Sequence, residues 1–178
     1  MVLLAVLCAP AMARAADYVQ APGSTLAFAG RYQDQVFTGR FPGFSTRVSF
    51  DPADPGSATL DVDIPLASAT TGNPDYDAQM LGDAFLDAAT FAQARYHAEG
   101  FRPLGGNRYA ADGTLTLHAV SRPVTLEFTW TGGAQPVLAG KATVQRLAFG
   151  IGVGDWSDTD LIQDAIAVST KVRLQPAK

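Results

Sequence analysis

The 178-residue chain has little of what most reactive sites need: one cysteine, Cys8, and two histidines, His97 and His118. One cysteine excludes an internal disulfide, and no Cys/His cluster has the spacing of a zinc site. Thirteen basic residues against 17 acidic ones leave a formal net charge of −4. No Lys/Arg run or basic patch is present, which excludes nucleic acid as the expected partner. The apolar run at residues 2–9 falls far short of the ~20 residues that span a bilayer, so stable membrane insertion is not expected either. Glycine (17) and proline (11) are plentiful by contrast. A chain of this length forms a sizeable core as one domain without a disulfide or metal staple.

What is there is mostly a two-residue period. Leu60, Val62, Ile64 and Leu66 alternate with Asp61 and Asp63. Val124, Leu126, Phe128 and Trp130 alternate with Thr125, Glu127 and Thr129. Ile166, Val168, Thr170, Val172 and Leu174 alternate with Ala167, Ser169, Lys171 and Arg173. Each reads as a strand with one apolar and one wet face. Weaker alternation predicts strands over 24–30, 35–41, 44–51, 94–102, 108–118 and 136–146. Pro42-Gly43, the run Asp51 to Gly56, Gly105-Gly106-Asn107 and Gly132-Gly133 supply the turns between them. Regular strands with short turns predict an antiparallel sandwich or barrel. Residues 70–92 interrupt the pattern: Asn73-Pro74-Asp75 is a helix start with Asp75 and Asp77 near the positive end of the dipole. Met80, Leu81, Ala84, Phe85, Ala88 and Ala89 then recur at helical spacing, predicting one or two short helices over an open end of the β structure.

The N-terminal apolar run is followed by Pro10 and by Ala13-Arg14-Ala15. This has the form of a secretory signal peptide over 1–15, cut after Ala15, although no Lys or Arg precedes the run. A lipid anchor on Cys8 is disfavoured because Leu7 stands where a lipobox has a small residue. The expected mature domain, 17–178, has no cysteine, which suits a compartment where a free thiol is a liability.

Motifs for chemistry are weak. Gly150, Gly152 and Gly154 lack the spacing of a dinucleotide loop and the βαβ unit around it, and read instead as a bulge or close backbone approach in a sheet. Asp155, Asp158 and Asp160 lack the spacing and bidentate Glu of a calcium hand. His97-Ala98-Glu99 has no downstream P-C-x-x-C, and G-x-S-x-G is absent. No catalytic and no metal site is therefore assigned. The informative feature is the aromatic content of the strands. Phe28, Phe37, Phe41, Phe44, Phe50, Tyr96, Phe128, Trp130 and Phe149 suit either a filled sandwich core or an eight-stranded barrel wide enough for a small ligand. Periodicity leaves both open.

Several segments in order resemble the YceI family of polyisoprenoid-binding or lipid-binding proteins. They are Phe37-Thr38-Gly39-Arg40-Phe41-Pro42-Gly43-Phe44, Val48 to Pro55, Asp75 to Leu81 with Phe85-Leu86-Asp87, Gly113 to Val124, and Phe149-Gly150-Ile151-Gly152. The resemblance runs from about Tyr18 to Leu174. The chain departs from the family's pattern in three places. Ala119 replaces a glycine, Gly30-Arg31-Tyr32-Gln33 lacks a histidine that many members carry, and Ala92 stands where Tyr-Pro or Phe-Pro is usual.

The resemblance implies an all-β fold: a single antiparallel eight-stranded lipocalin-like barrel with a short helical insert at 74–90 near its end. It implies an isoprenoid-type lipid or quinone-like ligand, no other cofactor, export to the bacterial periplasm, and homodimers as often found in the family. Such a barrel binds by burial, because each methylene removed from water is worth about 0.8 kcal/mol. On this reading Phe28, Phe41, Phe44, Phe50, Phe85, Phe128, Trp130 and Phe149 are the expected tail contacts. Arg31, Arg40 and Arg47 are the expected head-group residues, since arginine pairs well with phosphate. An enzyme acting on a hydrophobic substrate and a ligand-free structural barrel are the alternatives.

Overall fold

A computed structural model describes residues 15–178; the expected signal peptide, Cys8 included, lies outside them but for Ala15. The strands are β1 (Ala16–Gln20), β2 (Thr25–Tyr32), β3 (Gln35–Arg40), β4 (Ser45–Phe50), β5 (Thr59–Pro65), β6 (Gln93–Glu99), β7 (Phe101–Gly105), β8 (Arg108–Leu117), β9 (Val120–Thr131), β10 (Val137–Gln145) and β11 (Ala165–Pro176). One α-helix, α1 (Pro74–Leu81), lies between β5 and β6.

Eight strands close a ring in the order β1-β4-β5-β6-β8-β9-β10-β11, with β11 pairing back to β1. Every pairing is antiparallel, and closure leaves the ring without a free edge. At one end β1 fills the gap between β11 and β4, with Tyr18 opposite both Pro176 and Val48. Toward the other end β2 takes over the same edge of β11, Phe28 facing Val168, and β3 extends the wall beyond it. There the backbone of Arg40 exchanges hydrogen bonds with Thr70 at 2.9 and 3.0 Å. That pair ties the barrel wall to the segment carrying α1.

The two-residue alternation holds throughout. On β6, Ala94, Tyr96 and Ala98 are buried while Gln93, Arg95, His97 and Glu99 are exposed. Three expectations are corrected. The strand expected over 94–102 breaks at Gly100, which takes φ +71° where a side chain would crowd the Gly56 carbonyl, so β6 and β7 are separate. The strand expected from Val124 begins at Val120, because His118 and Ala119 form the tight turn themselves, with φ of +52° and +56°. Positive φ at both central residues is the twist an antiparallel hairpin requires. Helical spacing beyond Leu81 does not produce a second α-helix. Gly82 caps α1 in an extended conformation, and residues 82–92 run on as turns.

The helix starts where the sequence says. The Asn73 side chain accepts from the Asp75 and Tyr76 amides at 3.0 and 3.4 Å, satisfying donors that the first turn leaves orphaned. Pro74 at the first helical position needs no donor.

Candidate functional site

The interior has two halves. At the end where β1 closes the ring, aromatic rings fill it. Phe50 packs 5.1 Å from Phe101, 5.1 Å from Tyr109 and 4.9 Å from Trp130, measured between ring centroids. Tyr18 meets Trp130 edge-on at 5.6 Å, and Phe128 meets Phe101 at 5.0 Å. These are the offset and edge-to-face geometries that aromatic quadrupoles favour.

At the other end the interior is hollow. The cavity holds about 820 Å³, a size typical of small-molecule sites. Its walls are aliphatic: Val62, Ile64, Leu115, Val124, Leu126, Val144 and Val168 line it. Phe28, Phe41 and Phe85 add aromatic surface. Two glycines make room for rings in this wall. Gly39, opposite Phe28, leaves the space its Cβ would take to the Phe28 ring. Gly113 does the same for Tyr96: a Cβ there would come within 2.5 Å of the ring and 2.6 Å of the His97 carbonyl. The Tyr96 hydroxyl, also in the cavity wall, donates to the Ala111 carbonyl at 2.7 Å. Burial pushes its pKa up to about 12, so it stays neutral and its proton stays committed to the wall.

Two segments frame the mouth. Helix α1 contributes Tyr76, Gln79 and Met80 to the lining. It is anchored through Asp77, whose carboxylate accepts from the Thr70 hydroxyl and from the Thr71 hydroxyl and amide, each at 2.6 Å. Those bonds, Thr70 first, hold the Asp77 pKa below the usual carboxylate range. The second segment, 146–164, is organised by Arg146, only 3% exposed. Its five N–H groups all donate to main-chain carbonyls: Gln163 at 3.1 Å, Ile151 at 3.0 Å, Gly152 at 2.7 Å, Trp156 at 2.8 Å and Ile162 at 2.7 Å. Burial lowers its pKa, with Asp164 opposing. A guanidinium so placed has no donor left for a ligand. Gly152 permits this, since a Cβ there would lie 2.5 Å from the guanidinium nitrogen. The glycines at 150, 152 and 154 therefore serve a loop with φ near +70° rather than a bulge in a sheet.

The rim is apolar and acidic. Tyr32, Val36 and Tyr76 line the mouth while remaining 41%, 69% and 63% exposed. The framing segments 66–92 and 146–164 carry Asp75, Asp77, Asp83, Asp87, Asp155, Asp158, Asp160 and Asp164, and Arg146 is the one lysine or arginine in them.

Of the expected tail contacts, Phe28, Phe41 and Phe85 line the cavity. Phe50, Phe128 and Trp130 belong to the packed aromatic end. Phe44 and Phe149 are buried at 4% and 2% exposure, in a turn and a short 3-10 segment outside the lining. Of the expected head-group residues, Arg31 is exposed and pairs loosely with Asp34 at 3.7 Å. Arg40 is exposed at the end of β3, and Arg47 lies on the outer face of β4, opposite in parity to Thr46 and Val48. None of the three lines the cavity. Arg146, which does, carries one sequence signal: it is the only cation next to an otherwise apolar, glycine-rich stretch.

Comparison with known proteins gives one answer. Residues 18–174 match the model of the YceI-like domain. A UPF0312 protein of Pseudomonas fluorescens Pf-5 is 33% identical over 64% of this chain, and the match spans 63% of that relative's length. A UPF0312 protein of Shewanella oneidensis MR-1 is 28% identical over 82% of both chains. Among solved structures, Burkholderia cenocepacia BcnA superposes with a TM-score of 0.81 at 30% identity, covering 84% of this chain and 95% of that one. A polyisoprenoid binding domain from Saccharophagus degradans superposes with a TM-score of 0.70 at 18% identity, covering 92% of this chain and 99% of that one. The last shares the fold.

Proposed function

The chain belongs to the YceI-like domain family, and from that premise we propose that it is an exported lipid-binding protein. It holds an isoprenoid or similar long-chain amphiphile in the hollow half of its barrel. The observation that carries this reading is the apolar cavity of about 820 Å³ in a barrel whose other half is fully packed. At ~30 Å³ per carbon, taken as the share of one water, it takes roughly 25 carbons. Burying a chain of that length, at about 0.8 kcal/mol per methylene, already reaches on paper the ~20 kcal/mol ceiling of non-covalent affinity. Ordering of the chain and the loss of its free motion offset much of it. Burial alone suffices for tight holding, and no step of chemistry is required of the wall. The polyisoprenoid binding domain among the structural neighbours supports the same ligand class.

Export to the periplasm fits the Ala13-Arg14-Ala15 motif and a cysteine-free remainder. It also fits the start of β1 at Ala16, directly after the expected cut. Expression of the full chain in a bacterial host, followed by organic extraction and mass spectrometry of the purified protein, tests both parts. A prenyl lipid in the extract and a mass beginning at Ala16 are expected. Repeatedly empty protein overturns the lipid reading, and a full-length mass overturns export.

A further inference from the structure

A second hollow lies on the outside of the barrel, separate from the lipid cavity. It holds about 430 Å³, within the range of small-molecule sites. Strand register builds it. Arg108 on β8 stands opposite Thr129, Thr129 opposite Ala139, Ala139 opposite Lys171, and Lys171 opposite Thr25. In the next outward row Glu127 stands opposite Lys141, and Lys141 opposite Ser169. Both rows line the hollow. They alternate along the strands with the buried Phe128, Leu138 and Val172, so their side chains point away from the barrel interior.

The rows are uneven in size and in charge. Ala139 and Ser169 are short and stand between long side chains, which leaves the space. β8 and β11 are three strand spacings apart, about 14 Å, so Arg108 and Lys171 reach over the hollow from opposite sides. Lys141 and Lys171 are diagonal neighbours, roughly 7–8 Å apart at the backbone. Neither forms an ion pair among the described residues. The carboxylate in the lining, Glu127, lies 3.9 Å from Arg108. Elsewhere on the outer wall Arg95 and Arg102 meet carboxylates of their own, Asp63 and Asp112, at 3.0 and 3.1 Å. Three cations against one carboxylate give this hollow an excess of positive charge, in a chain whose net charge is −4. The cluster leaves no run of basic residues in the sequence because its members come from three strands.

We propose that this hollow binds a phosphomonoester. Such a group carries about −1.5 to −2 at pH 7, which matches the excess of cations over carboxylate. Lysine and arginine both donate charge-assisted hydrogen bonds to phosphate oxygens. The hydroxyls of Thr25, Thr129 and Ser169 add donors for the same oxygens, or partners for hydroxyls on the rest of the molecule. The phosphate's five heavy atoms, at ~30 Å³ each as the share of one water, fill roughly a third of the space. The remainder suits a small polar body of the size of glycerol or a sugar ring. The same chemistry occurs in a free phosphate ester and in the head group of phosphatidic acid. The site does not rest on the lipid-holding reading and stands if that reading fails.

Titration of the isotope-labelled full chain with glycerol 3-phosphate, and with glycerol, tests it by amide chemical shifts. Saturable shifts at Thr25, Thr129, Ala139, Ser169 and Lys171 are expected with the phosphate ester at neutral pH and not with glycerol. Replacing both lysines, Lys141→Gln with Lys171→Gln, should weaken binding about tenfold or more. Glu127→Gln removes the opposing carboxylate and should tighten binding about two- to threefold. Arg47→Gln, on the outer face of β4, should leave it unchanged. Binding should weaken severalfold by about pH 5, where the ester loses its second charge. Absence of saturable shifts, equal shifts with glycerol, or undiminished binding by the double lysine variant overturns the site. Flotation with phosphatidylcholine vesicles, with and without phosphatidic acid, separates the two sources. Flotation that needs phosphatidic acid and is lost in the double variant assigns the site to a lipid head group. Saturable shifts without flotation assign it to a soluble ester, and failure of both overturns it.

Discussion

Along β9 the inward side chains shrink from one end of the barrel to the other, Trp130, Phe128, Leu126, Val124, and along β4 they run Phe50, Val48, Thr46. At the first end six aromatic side chains interlock and exclude a ligand. At the second, the same alternation and the same ring of strands enclose a cavity of about 820 Å³. The backbone pattern is common to both halves, so the difference lies in side-chain volume. The packed half is where the aromatic packing energy is concentrated. The hollow half gives up contacts, is closed by loops held through Arg146 and Asp77, and carries the surface a ligand would cover.

If this division is right, the two halves respond differently to substitution. The largest effect is expected at the packed end. Trp130→Ala, which empties contacts to Tyr18 and Phe50, should cost about 3–5 kcal/mol of unfolding free energy, measured by chemical denaturation. A loss below ~1 kcal/mol would mean that this end is not the stability centre. Next comes the wall between the halves: Gly113→Ala forces a methyl against the Tyr96 ring and the His97 carbonyl and should cost about 1–3 kcal/mol by overpacking. A neutral result would show that Tyr96 tilts away freely.

The third effect is smaller and of opposite sign. Ala119 sits at φ +56° in the β8–β9 turn, a conformation that costs a side-chain-bearing residue about 1–2 kcal/mol relative to glycine, less the entropy glycine regains when unfolded. Ala119→Gly should therefore raise stability by about 0.5–1 kcal/mol, visible as a shifted denaturation midpoint; a drop would contradict the turn geometry. The smallest effect concerns the mouth. Asp77 has a folded-state pKa below its ordinary 3.8, so its contribution is present above that value and is lost as the pH falls through the lower, folded one. Amides of α1 should lose hydrogen-exchange protection below about pH 4, corrected for intrinsic rates, before those of β9 do. Simultaneous loss in both would mean that α1 is not separately anchored.

Much of the fold is legible in the residues because period two is a strong signal. Asn73 and Pro74 mark the helix start, and Gly105-Gly106 the β7–β8 turn. The break at Gly100 is not legible, because the sequence reads as one strand straight through that glycine. The strand end at His118 is legible, but the positive φ of His118 and Ala119 is not, since neither residue is a common former of such a turn. At the site, strand parity already places Arg47 on the face opposite Thr46. What periodicity leaves open is how far a row of inward residues fills the space between strands. That depends on the volumes of neighbours brought together by closure, which is why Phe50, Phe128 and Trp130 look like ligand contacts in one dimension and are packing in three. Phe44 and Phe149 lie outside strands, where no parity rule applies. Arg146 stands out only as a cation beside an apolar, glycine-rich stretch; its role is hidden because its partners are main-chain carbonyls, which leave no trace in residue identity.

The central claim is that the hollow half holds the ligand. Ala142 lines that half on β10, and Ala142→Trp fills it without touching the packed aromatic cluster. Native mass spectrometry of this variant and the unaltered protein, each freed of lipid and then offered farnesol, is the most direct measurement. A one-to-one complex with the unaltered protein and none with the variant, both showing folded charge-state distributions, is the predicted result. Undiminished complex formation by Ala142→Trp would contradict it.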